Sequence, residues 1–371
     1  MKDEIRCDSF EPGSASDLSS DKTKVGRIGG KNSEHRSGGA FISKKLLHQI
    51  EMVLNENSDK AAHKKKKVGS GTQSKRRTVI KGFFCDLLYL KFKIESIYNL
   101  KEKHLIAVFN FLEKQGQSPA TIQNKISIMR VFCKWIGKDG MVRDSILYVK
   151  NKASVRRSTV VQEDKSWTGN GVDVLLLLAV ITAKDKVVAM WLELCWAFGL
   201  RISESVMLKP AMSHEGDFVW IREATKGGRP RVIPIENEIQ RDVLQRAKQL
   251  GDGKTGFLGK RGKSMKSKRR RIYTVMESLG ITLKDCGISA HGLRHEYMQE
   301  SFKRLLGIDA PIKGGDLSQL EKTKLNVASL KLAERAGHSR ASIGAAYYGS
   351  RAIRKANTGH DKTTKEMGNE F

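Results

Sequence analysis

Five side chains in the C-terminal half of this 371-residue chain, Arg201, His291, Arg294, His338 and Tyr347, are of the types that handle a phosphate ester. Two guanidinium groups can hold one phosphodiester by paired, charge-assisted hydrogen bonds. Histidines donate or shuttle a proton, and a tyrosine hydroxyl can become a covalent phospho-enzyme. His291 and Arg294 stand three apart in His291-Gly-Leu-Arg294-His295 at the head of an expected helix, so both share a face near its positive end, where an anion is welcome. His-x-x-Arg alone arises by chance in an arginine-rich chain. His338 and Tyr347 are separated by a turn, Ser339-Arg340-Ala341-Ser342, that starts a short helix.

Composition points to the same substrate. Lys and Arg number 68 against 40 Asp and Glu, a net charge of +28, and the pI is near 9.9. That excess exceeds what solubility needs and calls for a polyanion, DNA or RNA. An acidic membrane surface is the weaker partner: no basic amphipathic helix with an exposed aromatic edge stands out, and the longest apolar stretch, Val172 to Ala183, is too short to span a bilayer. Met1-Lys2-Asp3-Glu4 has no apolar segment behind it, so a cytoplasmic, nucleoid-associated protein is expected. Five cysteines at wide spacing, with no Cys-x-x-Cys pair, fit neither a disulfide framework nor a zinc ribbon. His291 and His295 are four apart as in metalloproteases, but no glutamate follows His291 and no third ligand is apparent, so no metal and no cofactor is expected.

The elements that must position these groups fall into two expected domains. Residues 1–77, rich in Ser, Gly, Lys and Asp, read as a flexible basic leader in which only Phe41 to Leu54 has apolar residues close enough for a short helix. Its run Lys64 to Lys67, followed by Lys75, Arg76 and Arg77, is either solvated or adds phosphate contacts. Residues 78–150 read as a helical domain. Phe83, Leu87, Leu90, Ile94 and Ile97 step by four and three; a second helix is expected at Lys103 to Lys114; a third starts at Ser118-Pro119, with the stripe Ile122, Ile126, Met129, Cys133, Ile136 inside and Lys125, Arg130 and Lys134 outside, facing DNA.

Residues 151–169 are polar and read as a linker, and residues 170–350 as the second, catalytic domain. Helices at Val172 to Thr182 and Lys186 to Phe198 lead into Gly199-Leu200-Arg201, where the glycine ends one helix and Ser203 caps the next. Phe218 to Arg222 and Arg231 to Ile235 are expected strands joined across Lys226-Gly227-Gly228, with Pro234 marking an edge or a strand end. Helices then return through Tyr348. Lys266, Lys268, Arg269, Arg270 and Arg271 precede the stripe Ile272, Val275, Met276, Leu279 and are expected to touch DNA backbone. Residues 351–371 form a C-terminal tail. The fold class is mainly α with a small β-sheet in the catalytic domain.

Ala197-Phe-Gly-Leu-Arg201-Ile-Ser-Glu204, His291-Gly-Leu-Arg294-His295, Ala336-Gly-His338-Ser and Tyr347 resemble, in order and spacing, the signature of tyrosine recombinases, the phage-integrase family, over about Thr78 to Gly349. The resemblance implies a two-domain DNA clamp of helical core-binding and catalytic domains. It implies that Arg201 and Arg294 bind the scissile phosphate, His291 assists proton transfer, His338 hydrogen-bonds the phosphate and Tyr347 attacks it. Lys226 matches the family lysine that protonates the leaving 5′-oxygen, with Arg229 and Arg231 as nearby alternatives. Glu204 matches an acidic residue that orients the arginine or a histidine.

The implied activity is site-specific DNA recombination, integrating or excising a mobile element through a 3′-phosphotyrosine, without metal or ATP. The implied partners are double-stranded attachment sites, a homotetramer on DNA and directionality or bending factors. A type IB topoisomerase and a non-catalytic DNA-binding protein of the same fold are the alternatives. Three features depart from the family pattern: Ala336 where a leucine commonly stands, a long connection from Gly307 to Leu325, and the doubled Tyr347-Tyr348, which leaves the nucleophile's register open.

Overall fold

A computed structural model describes residues 42–61, 67–259, 262–318 and 320–350. The start of the expected leader, Lys64 to Lys66, Lys260 and the tail 351–371 lie outside the described residues. The chain divides into two compact units, at Arg156 and Arg157.

In the first unit, helix α1 (Lys44–Asn57) is capped by the Ser43 hydroxyl, which accepts from the Leu46 N–H, and α2 runs Ser70–Tyr89. Helix α1 overlaps the short helix expected at Phe41 to Leu54, whereas α2 begins inside the expected leader and runs across its expected end at Arg77. The reason is packing that composition hides. Leu46, Ile50, Val53 and Leu54 are buried, and the Arg76 guanidinium is buried too, donating to the Ser58 and Lys60 carbonyls just past α1 and lying over Trp135. A cation that satisfies the open carbonyls at a helix end is structural, not a phosphate contact. Helix α2 stops at Tyr89, so Leu90 and Ile94 reach the same core from irregular chain and Ile97 from a short 3-10 turn, Ile97–Asn99. Helices α3 (Glu102–Lys114) and α4 (Pro119–Trp135) follow the expected periodicity, with Ser118 as the N-cap of α4. Edge-on pairs of Phe83, Phe84 and Phe132 fill the centre.

The second unit is organised around one helix. After α5 (Val174–Lys184), helix α6 (Lys186–Phe198) buries nearly its whole circumference, including Trp191, Leu194, Cys195 and Phe198. Asp185 caps it, accepting from the Val187 and Val188 N–H groups. It ends at Gly199, whose φ of +60° places it in the left-handed region, and a Cβ there would collide with the Tyr297 ring. The turn Gly199-Leu200-Arg201 delivers Arg201 to the start of α7 (Ile202–Ser205). Arg201, not Ser203, holds the N-cap position, and Glu204 accepts its N–H at 2.8 Å.

Helix α8 (Pro210–Ser213) leads into an antiparallel sheet, β1 (His214–Glu215), β2 (Phe218–Ile221) and β3 (Arg231–Pro234), in that order, with Val219 opposite Ile233. Pro234 therefore lies on an edge strand. Helices α9 (Glu238–Leu250), α10 (Met265–Ser278), α11 (Gly292–Leu306), α12 (Lys322–Arg335) and α13 (Ala345–Tyr348) complete the unit.

The expected linker is corrected at both ends. Val155 belongs to the core of the first unit, while Val161, Ser166 and Trp167 are buried in the second. The polar side chains that suggested a linker are hydrogen-bonding partners: Trp167 Nε1 donates to the Ser289 carbonyl and Thr168 donates twice to Glu296. No helix among the described residues is long and apolar enough to cross a membrane.

Candidate active site

The elements of the second unit bring Arg201, Arg294, His291, His338 and Tyr347 together. Arg294 is on the first turn of α11, wholly buried, and each of its three guanidinium nitrogens donates one hydrogen bond. Its Nη1 donates to the Gly199 carbonyl, its Nη2 to the Ala336 carbonyl at 2.6 Å and its Nε to the Tyr347 hydroxyl at 3.1 Å. Arg201 reaches the same Ala336 carbonyl at 2.9 Å through Nη2. Two guanidinium groups from different helices thus converge on one oxygen atom, with the phenol held beside it. Arg201 is the more open of the two and uses only two of its five N–H groups on protein acceptors.

His338 follows Gly337, whose φ of +66° turns the chain off α12, and its Nε2 lies 3.4 Å from the Tyr347 hydroxyl. His291 occupies the N-cap of α11, its ring centroid 6.2 Å from that of Tyr347. Both histidines are held down to a pKa of about 4. Burial is the first cause for each, followed by the Arg294 and Arg201 charges for His291 and the Arg201, Arg294 and Lys226 charges for His338. Although His291 presents itself on the exposed rim of the site, the protein packed behind its ring lowers the value. Both are neutral near pH 7 and able to accept a proton.

Glu204 is a hub. Its carboxylate accepts from the Arg201 N–H, Arg201 Nη1 at 2.7 Å, and Arg231 Nη1 and Nη2, both at 2.7 Å. Burial alone would raise its pKa, but the Arg231 fork, the Arg231 and Arg201 charges and the Arg201 N–H outweigh it and hold the carboxyl at about 2. Arg231 is therefore committed to Glu204 and is no alternative to Lys226. Lys226 itself is exposed, on a 3-10 turn at Lys226–Gly228, with no hydrogen bond or ion pair among the described residues.

The two adjacent tyrosine rings point in different directions. Tyr347 faces the arginines. Tyr348 turns away to pack on Phe302 with ring centroids 4.7 Å apart, and burial raises its pKa. Gln299, Asp164 and Val161, which sequence reasoning missed, and His295, to which it gave no role at Tyr347, hold the Tyr347 segment from behind. Gln299 Nε2 donates to the Tyr347 carbonyl and to Asp164, Val161 N–H donates to the Ala345 carbonyl, and the buried His295 ring lies 5.0 Å from that of Tyr347.

The expected DNA-facing cations divide. Lys266, Arg269 and Arg270 are exposed on α10. Lys268 is not: it is buried, donates to the Val206 carbonyl and lies over the Phe257 ring, a correction that follows from the helical period, which turns it inward with Ile272. Arg271 forms a fork on Asp185, at 2.6 and 2.8 Å, and so locks the cap of α6. On α4, Arg130 is exposed but donates to the Val142 and Arg143 carbonyls, Lys134 pairs with Asp139 at 3.6 Å, and Lys125 is half-buried. No group of three or more His, Cys, Asp or Glu side chains able to hold a metal occurs among the described residues.

Residues 162–300 match the profile of the family described as integrase, and residues 53–142 that of the phage integrase N-terminal domain. The tyrosine recombinase XerC of Neisseria gonorrhoeae is 27% identical over 210 residues, covering 54% of this chain and 65% of the relative, so the match spans a little under two thirds of that protein's length. XerC of Corynebacterium glutamicum is 24% identical over 225 residues, 58% of this chain and 70% of the relative. Among solved structures, a lambda integrase dimer bound to a COC′ core site superposes with a TM-score of 0.54 at 13% identity, over 86% of this chain and 84% of that one. The Tn1549 transposon integrase in complex with a circular intermediate DNA superposes with a TM-score of 0.53 at 15% identity, over 84% of this chain and 99% of that one.

Proposed function

This chain belongs to the tyrosine recombinase family, the phage integrases, and from that premise we propose that it cuts and rejoins duplex DNA at a specific site through a 3′-phosphotyrosine, integrating or excising a mobile element. The observation that carries the reading is the convergence of Arg201 and Arg294 on one oxygen, with the Tyr347 hydroxyl 3.1 Å from Arg294 and 3.4 Å from His338.

The roles that the family resemblance implies are compatible with this geometry. Free N–H groups of Arg201, with Arg294 beneath, take the non-bridging oxygens of the scissile phosphate and offset the charge that builds as phosphorus becomes five-coordinate. The Tyr347 oxygen attacks phosphorus. Its proton passes to a neutral imidazole, His338 or His291, and the new bond forms with the phenol's electron pair. The P–O5′ bond breaks, and the leaving oxygen takes a proton from Lys226, whose exposed turn is free to close on docked DNA. The ester bond is conserved in the phosphotyrosine, so the 5′-hydroxyl of another strand can reverse the attack without ATP. Lys266, Arg269 and Arg270 supply backbone contacts. A lambda integrase tetramer bound to a Holliday junction, TM-score 0.51, supports the proposal that four copies exchange strands on DNA.

The test starts from a duplex selected from a random pool by the full chain. A plasmid carrying two copies of that site should yield recombinant products and a four-way junction intermediate. Relaxation of any supercoiled plasmid without strand exchange would assign the chain to topoisomerase chemistry instead, and tight binding without either product would make it a binder.

A further inference from the structure

We propose that Arg231 is a positioning residue for the phosphate clamp, one that ties Arg201, the Lys226 turn and the approach to His338 to a single buried guanidinium and cancels the charge of Glu204. The inference rests on the recombinase reading and deepens it.

Strand β3 alternates, so Arg231 points to the same side as Ile233, and it is buried with it. A cation on the apolar side of a strand needs full partnership, and Arg231 has it: Nη1 and Nη2 on Glu204, Nε on the Arg335 carbonyl at 2.8 Å. The first two bonds saturate a carboxylate whose remaining lone pairs hold the main chain and side chain of Arg201. The third fixes the last turn of α12, next to Ala336, whose carbonyl receives both Arg201 and Arg294. Gly337 completes the arrangement. Its φ of +66° favours glycine, and a Cβ there would stand 3.1 Å from Arg231 Cδ, a tight contact, so a side chain at this position would strain the turn into His338 and press on Arg231. Because β3 begins directly after the loop that carries Lys226, the same side chain anchors the base of that loop.

The charge balance gives the arrangement its purpose. Arg201 needs Glu204 to hold its backbone and guanidinium in place, yet a lone carboxylate against it would neutralise the charge meant for phosphate. Arg231 supplies the compensating charge to Glu204 from the side away from the substrate. Without Arg231, Glu204 would turn its whole charge on Arg201, and it would be buried with fewer donors, so its affinity for a proton would rise.

The experiment is single-turnover cleavage of a nicked duplex carrying the selected site, with Kd for the same duplex measured alongside. Arg231→Met should lower the cleavage rate roughly 10- to 100-fold, the usual range for a residue that orients a reacting group, with Kd changed far less. Two further results are specific to the charge role. The double variant Arg231→Met with Glu204→Gln should cleave faster than Arg231→Met alone, and lowering the pH should partly restore the single variant as Glu204 takes up a proton. Should Arg231→Met fail to fold, Arg231→Lys, which keeps charge and loses the fork, should fold and lose rate at unchanged Kd. Wild-type rates in Arg231→Met or Arg231→Lys would overturn the proposal, as would a double variant no faster than the single one. Absence of any adduct with the wild-type chain would instead overturn the recombinase reading and this inference with it.

Discussion

The arginines around Tyr347 and the cations along α10 look alike in the sequence, clusters of positive charge awaiting phosphate, and the structure builds them in opposite ways. Around Tyr347 the guanidinium groups are buried or nearly so, each arginine braced by a carbonyl or by Glu204. Along α10 the helical period sorts neighbours. Lys266, Arg269 and Arg270 face out, while Lys268 and Arg271 are drawn inward to the Val206 carbonyl and to Asp185. A buried, fixed donor acts on a developing charge at full strength, whereas an exposed one contributes screened, sequence-independent attraction. Under the proposed function, the same residue types would serve catalysis in one place and affinity in another, while at Lys268 and Arg271 they hold the fold.

The difference is broken most severely at Arg294. Arg294→Lys should keep the charge but lose the fork, and single-turnover cleavage should fall by about 100- to 1,000-fold, the scale of removing a transition-state donor. A loss below tenfold would mean the site is not preorganised around this side chain. Lys268 and the outward cations separate next. Lys268→Met leaves the Val206 carbonyl without its donor and should cost about 1–3 kcal/mol in denaturant unfolding, while the salt dependence of DNA binding stays as it was. Arg269→Gln with Arg270→Gln should do the reverse, leaving stability intact and reducing the slope of log K against log salt by about 0.9 for each phosphate that is no longer neutralised. Equal salt slopes in both variants would erase the distinction drawn between the two sides of α10.

Acid should expose the buried cluster through its histidines. His291, His295 and His338 all have folded-state pKa values of about 4, below the ordinary 6.5. Between those values the unfolded chain binds more protons than the folded one. Their contribution to stability is therefore present above about pH 6.5 and lost as pH falls toward 4. Thermal unfolding should show Tm falling across that window, and His295→Gln, removing the most buried of the three, should flatten the fall; an unchanged pH profile would show that the ring is not held neutral. The smallest effect is at Arg271. Arg271→Ala removes a partly exposed pair, and Asp185 keeps its two backbone donors at the start of α6, so a loss of about 1 kcal/mol or less is expected in the same unfolding assay.

What the sequence made legible follows the same division. Periodicity located α3, α4 and α6, the Ser118-Pro119 start and the glycine at the end of α6, because those signals are local. The motif residues Arg201, Glu204, His291, Arg294, His338 and Tyr347 do meet in space, although only the fold brings α7, α11 and α13 together. Partners across long separations stayed hidden. Arg76 reads as part of a basic leader until Ser58, Lys60 and Trp135 are seen around it, and residues 161–168 read as linker until Trp167 finds Ser289 and Asp164 finds Gln299. Arg231 was within reach of sequence reasoning. A charge in register with Ile233 on an inward-facing strand demands a buried counter-charge, and the structure supplies it in Glu204.

The most direct test of the catalytic geometry asks which tyrosine takes the DNA. The full chain, incubated with the nicked selected duplex, should become covalently attached to a 3′-phosphate, and peptide mapping should place the attachment on Tyr347. Tyr347→Phe should form no adduct while Tyr348→Phe still does. An adduct on Tyr348, or one that persists in Tyr347→Phe, would contradict the account, because the hydroxyl beside Arg294 and His338 would then not be the one that attacks.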